Sequence, residues 1–170
     1  MHWYLLLLRL THIVLGAMWV GAMAFTVVFL TPALRDAGPS GAPVMASLQR
    51  RGLMVVIPVL ALLTIVSGIL LVERVYGGMS ALSDSRMGQT LMTGALASVL
   101  AFLLGIVVMR PAMARAAALA SRAASAATEQ ERVELGAQAQ RLRTRGAAMG
   151  RVIFALLLVA VGAMAVARYL

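Results

Sequence analysis

Long uncharged apolar stretches alternate along the chain with short segments that hold nearly all of its charges. A helix needs about 20 apolar residues to cross a bilayer core of about 30 Å, at about 1.5 Å rise per residue. Four stretches meet this requirement, so the pattern predicts an all-α integral membrane four-helix bundle. The predicted spans cover about residues 5–30, 52–72, 87–109 and 150–169. The first is longer than the 7 to 15 apolar residues of a usual signal peptide, so we expect it to be retained as a helix.

The connections between the spans differ in composition. Residues 31–51 hold three prolines and two glycines among polar residues, which predicts an irregular loop. In the third connection, Arg110-Pro111 is expected to end helix three, and the alanine-rich stretch that follows favours a helix. Thr128 followed by Glu131 is typical of a capping box that starts a new helix. Gly146 and Gly150 are expected to loosen the chain before the last span, so residues 111–146 are predicted to form a helical hairpin.

The arginines are distributed unequally between the two sides that four spans would create. Loops 31–51 and 110–151 together hold eleven arginines, whereas the termini and the loop between spans two and three hold four. The positive-inside rule therefore places both long loops in the cytoplasm and both termini in the periplasm. An aromatic belt at the outer interface is expected from four residues. They are Trp3, Tyr4, Tyr76 and Tyr169.

Composition excludes several classes of protein. The chain of 170 residues is 62% hydrophobic and 12% charged, with a mean hydropathy of +0.93, unlike a soluble domain. Its net charge of +9 does not indicate a nucleic-acid partner, since residues 111–146 contain no aromatic residue to stack on bases. The absence of cysteine excludes disulfides and thiolate metal sites. The expected partner is the lipid bilayer.

A cluster of arginines near the last span has two interpretations. These residues could bind anionic lipid headgroups, or they could serve only to fix the topology, which we favour. The cluster consists of Arg141, Arg143, Arg145 and Arg151.

Helix one carries an ionisable side chain within its span, at His12. Helical spacing places it on one face with Gly16, Trp19 and Met23. Thr64, Ser67, Thr93 and Ser98 on the neighbouring spans are candidate partners for this face. The simpler interpretation is that His12 makes a structural hydrogen bond in the bundle. The alternative makes it a ligand of haem b or copper, with Trp19 in the same cofactor site and Met92 or Met164 as a second metal ligand.

Small residues favour close helix packing in two of the spans. Helix one contributes Gly16, and helix three contributes a stripe that includes Gly94, Ser98 and Gly105. Such a stripe is also compatible with a homo-oligomer or with a partner membrane protein. The spans contain no carboxylate, and no catalytic motif is present, so the sequence favours a protein that is not an enzyme.

Four segments carry a resemblance to a known family. The run LTHIVLGAMWVGAMAF resembles the first helix of small four-helix bacterial membrane proteins of the copper-resistance protein D-like group. The segments IPVLALLTIVSGILL, GIVVMRPAMAR and MAVARYL are similar to the uncharacterised branch of that group. The resemblance implies a multi-pass protein of the bacterial inner membrane. A more distant likeness is to membrane protoporphyrinogen oxidase, which would make His12 a haem ligand. That family also uses a lysine in its third helix, and this chain has none.

From these observations we expect an accessory or small-ligand-binding membrane module without an enzymatic activity of its own. A membrane redox protein that binds haem b or copper through His12 is the first alternative. An oligomeric structural protein that interacts with lipids is the second.

Overall fold

The computed structural model describes residues 2–170, and within that range the chain is helical with no strand. Seven α-helices occur in chain order. They are α1 (His2–Phe25), α2 (Thr31–Asp36), α3 (Gly41–Arg50), α4 (Leu53–Tyr76), α5 (Arg86–Leu104), α6 (Arg110–Ala124) and α7 (Glu129–Val166). Two π-helical turns, Thr26–Leu30 and Gly105–Met109, join α1 to α2 and α5 to α6 without interruption.

Four helices in this fold are long and apolar enough to cross a membrane, which confirms the predicted all-helical class and the number of long apolar helices. They are Trp3–Asp36, Leu53–Tyr76, Arg86–Ala124 and Glu129–Tyr169. Helix α7 alone has 38 residues, a length of about 57 Å. A bilayer core is about 30 Å thick, so α7 is much longer than a single crossing requires.

The expected ends at Arg110 and at Gly146 to Gly150 do not interrupt the helices. Thr128 begins α7 as predicted, because its hydroxyl accepts a hydrogen bond from the Glu131 N–H at 3.2 Å. From there α7 continues through both glycines. A Cβ at Gly146 would lie 2.7 Å from Met113 Sδ, so this glycine permits close packing of α7 on α6 and does not break the helix.

Each π-helical turn ends two residues before a proline. The Thr31 N–H donates to the Thr26 carbonyl, and the Arg110 N–H donates to the Gly105 carbonyl, so both bonds span five residues. A proline ring clashes with the carbonyl of the fourth preceding residue, and a widened turn offers a way to accommodate it. The helices therefore continue past Pro32 and Pro111.

The segment that was predicted to be an irregular loop contains the helix α3. Pro43 lies in its first turn, where the missing N–H would have no helical partner anyway. Gly38 and Gly52 flank this helix with positive φ angles of 54° and 87°. Such angles favour glycine, so α3 is separated from α2 and α4 by two sharp changes of direction.

The helices form two close pairs, α1 with α4 and α5 with α7. Gly16 lets the backbone of α1 approach α4, since a Cβ there would be 3.3 Å from Thr64 Cγ2. Gly94 does the same in the second pair, since its Cβ would lie 3.0 Å from the Ala160 carbonyl oxygen. The pairs meet in a buried core supplied by all four long helices. It comprises Trp19, Met23, Ala61, Ala101, Ile153 and Leu157.

The bundle has two chemically different ends. We call the end with both termini and the loop 77–85 the terminal end. There, Cζ of Arg74 in α4 lies 5.6 Å from the centroid of the Tyr4 ring in α1. The opposite end holds eleven of the fifteen arginines, and we call it the arginine end.

Gly94 and Gly105 offer a matched test of this packing. We expect Gly94→Leu to lower the stability of the protein in mild detergent by about 1–3 kcal/mol, the usual cost of overpacking. Gly105→Leu should cost much less, because a Cβ at Gly105 finds its nearest neighbour, Ile153 Cδ1, at 3.9 Å. Thermal unfolding of both variants measures the difference. Equal losses at the two positions would contradict this assignment of the tight contact.

Candidate functional site

His12 lies in the interface between α1 and α4, with its ring against the backbone of α4. Its Nδ1 is 2.8 Å from the Thr64 carbonyl oxygen and 3.3 Å from Ser67 Oγ. A carbonyl oxygen only accepts, so Nδ1 is the donor and carries the ring proton. The ring fits because residue 68 is glycine: a Cβ there would lie 2.9 Å from His12 Cε1.

This geometry leaves Nε2 as the ring nitrogen with a free lone pair. Histidines that bind metals commonly donate their other N–H to a backbone carbonyl, so Nε2 is the atom that a haem or copper would use. Met164 packs against Gly94 in the interface between α5 and α7, and Met92 lies half-buried on α5. Within residues 2–170, no group of three His, Cys, Asp or Glu side chains is placed to hold a metal.

The hydroxyl groups of the bundle bond to their own helices. Thr64, Ser67, Thr93 and Ser98 donate to backbone carbonyls three or four residues earlier. Trp19 is only 3% exposed, yet its indole N–H donates no hydrogen bond to any residue that the structure describes. Within residues 2–170 no buried side-chain nitrogen or oxygen atom lacks a hydrogen-bond partner, so this N–H is not a buried unpaired donor and stays accessible to a ligand or to water.

A cavity of about 710 Å³ lies between the four long helices, at the arginine end. Ligand pockets commonly measure about 300–1,000 Å³. Residues of the buried core form its deep part, among them Trp19, Ala61, Ala101 and Ile153. The cavity is therefore apolar within, with the Trp19 side chain in its wall.

Three arginines line the part of the cavity that lies beyond the buried core, toward the arginine end, and we call this part the rim: Arg35, Arg110 and Arg143. All three are exposed to solvent in part, and no aspartate or glutamate contributes to the lining. Within residues 2–170 the single ion pair joins Arg132 to Glu129, elsewhere on the protein. The rim is therefore a cationic surface without a protein counter-charge.

The two π-helical turns and helix α3 complete the cavity wall. Thr26 and Val27 come from one turn, and Gly105, Ile106 and Met109 from the other. From α3, one face contributes residues at helical spacing: Gly41, Ala42, Met45, Ala46 and Gln49. Widened turns of this kind often occur at functional sites.

The predicted headgroup arginines do not act as one cluster. Arg141, Arg143, Arg145 and Arg151 are all exposed, but only Arg143 lines the large cavity. Arg145 lines a smaller cavity of about 430 Å³ between α6 and α7. Of the predicted packing residues, Gly16, Gly94 and Ser98 lie in helix interfaces, whereas Gly105 lines the cavity.

Some residues of the site were not singled out from the sequence. Gly68 packs against the His12 ring. Gly68 lies four residues after Thr64 and therefore on the same face of α4, and this spacing could have indicated its role. Arg35 and Arg110 were counted only toward topology. Their place at the cavity depends on how four helices converge, which no local pattern encodes.

Searches against models of known protein families, curated proteins and solved structures found no match.

His12 and Gly68 should be energetically coupled. We expect His12→Ala to cost about 1 kcal/mol, the scale of a hydrogen bond between membrane helices. Gly68→Ala should cost about 1–3 kcal/mol through the clash with the ring, and much less in the His12→Ala background. Unfolding in detergent of the two single variants and the double variant measures the coupling.

Additive effects would show that the ring does not occupy the space over Gly68. The structural interpretation also expects purified protein to be colourless and free of stoichiometric copper. A Soret band or bound copper that disappears in His12→Ala would instead assign His12 as a ligand.

Proposed function

We propose that this chain is a multi-pass protein of the bacterial inner membrane that binds a small ligand in the cavity between its four helices. The cavity is the observation on which the proposal rests, since a close-packed bundle would fill this space with side chains. The resemblance to the copper-resistance protein D-like group agrees with an accessory membrane module.

The outer surface of the bundle supports its position in a membrane. Large apolar side chains such as Leu6, Ile13, Leu96 and Val107 are between 58% and 66% exposed. In water an apolar surface of this extent would promote aggregation, whereas lipid tails cover it without cost.

The arginine asymmetry supports one orientation, with the arginine end in the cytoplasm and both termini in the periplasm. The aromatic residues of the terminal end agree, because Trp3, Tyr4 and Tyr169 are exposed there, as residues of an interfacial belt would be. Helices α6 and α7 would then project into the cytoplasm as a helical hairpin.

Reporter fusions test this orientation. A reporter attached after Leu170 should be active as a periplasmic reporter, and one inserted between α6 and α7 near Ser125 should be active as a cytoplasmic reporter. The reverse pattern would overturn the orientation.

Filling the cavity tests the ligand-binding function. Ile106 lines the cavity, whereas its neighbour Val107 is 66% exposed and lines neither of the two cavities described. We expect Ile106→Trp to lower retention of a co-purified small ligand in native mass spectrometry of protein purified in mild detergent, because the indole takes part of the cavity. Val107→Trp should retain the ligand as the parent protein does.

Thermal unfolding of both variants shows whether each one is folded. Folded parent protein that retains no small ligand, or folded Ile106→Trp that retains as much as Val107→Trp, would contradict the proposal.

A further inference from the structure

We infer that the ligand is an anionic amphiphile, with its acyl chain deep in the cavity and its anionic head at Arg35, Arg110 and Arg143. This inference rests on the proposed ligand-binding function and specifies the chemistry of the ligand. It follows from the opposite character of the two ends of one cavity.

The deep part of the cavity suits an acyl chain. Its wall is formed by apolar core side chains from all four long helices. The distance along α7 from Arg143 to Ile153 spans ten residues, about 15 Å, and that from Arg110 to Ala101 spans nine residues, about 14 Å. The cavity is therefore elongated along the helices, between charged groups and an apolar floor.

The rim determines the charge of the ligand. Its three arginines have no carboxylate beside them in the lining, so a cation would be repelled and a wholly apolar molecule would leave the guanidinium groups unused. Guanidinium groups bind carboxylate and phosphate oxygens through paired hydrogen bonds. Gln49, Gln140 and Thr144 add neutral hydrogen-bonding groups to the same lining.

A free fatty acid and an anionic phospholipid share this chemistry. Each joins an acyl chain to an oxyanion, and either would use the same two regions of the cavity. The experiment therefore includes a probe for each source.

Quenching of Trp19 by brominated amphiphiles tests the inference, because bromine quenches tryptophan only at close range. The chain has two tryptophans, so Trp3→Phe leaves Trp19 as the single emitter in the cavity wall. The full-length protein in neutral detergent is titrated with dibromostearate, with its uncharged methyl ester and with dibrominated phosphatidylglycerol. The Trp19→Phe variant retains the exposed Trp3. It measures the quenching that results from non-specific partitioning of the brominated amphiphile into the micelle.

Matched triple variants isolate the role of the rim. In the Trp3→Phe background, R35Q/R110Q/R143Q removes the three cavity arginines. The control R50Q/R115Q/R141Q removes three arginines from the same end that do not line the cavity. We expect the concentration of dibromostearate that quenches half of the Trp19 fluorescence to be about ten-fold lower than that of its methyl ester. Hydrogen bonds to charged groups change affinity on this scale. This preference should persist in the control and disappear in the cavity variant.

The outcomes separate the two proposals. Saturable quenching that is equal for acid and ester would overturn the anionic assignment and leave the ligand-binding function intact. The absence of saturable quenching beyond that of the Trp19→Phe protein would overturn both. Quenching by dibromostearate or by dibrominated phosphatidylglycerol at lower concentrations than by the methyl ester, with this preference lost in the cavity variant, supports the inference. The probe that shows the preference identifies the source of the anion.

Discussion

The close approach of helix backbones at glycine is the contact on which the rest of this structure depends. Within a bilayer, helices gain little from burying apolar surface and associate instead through tight packing. Gly16 and Gly68 let α1 and α4 come together, and Gly94 does so for α5 and α7. The result is two close pairs that meet at a small core. Toward the arginine end the space between the pairs stays open, and the cavity occupies it.

The same contacts explain how a histidine is accommodated in the first long apolar helix. An imidazole among lipid tails would need a partner for each polar atom, and Gly68 creates the space that brings Nδ1 to the Thr64 carbonyl. His12 is the only histidine within the four predicted spans. Its interaction is with the backbone of α4, and the cavity is lined by other residues.

The sequence predicted those parts of the structure that depend on local signals. Uncharged runs located the long helices, and the Thr128 cap located the start of α7. Prediction failed where tertiary contacts decide: Gly146 was expected to loosen the chain, and it packs against Met113 inside a continuous helix. Pro111 was expected to end helix three, but the π-helical turn before it lets the helix continue. The cavity could not be foreseen, because it is formed by residues from four separate helices.

The length of α7 has a geometric consequence. This helix is unbroken from Glu129 to Val166, whereas the helix packed against it contains the widened turn Gly105–Met109. Ile153 in the cavity wall lies 24 residues after Glu129, so one continuous helix of about 36 Å joins the tip between α6 and α7 to the cavity. The widened turn lies in the same wall. The cavity and the distant tip are therefore built on a single helix.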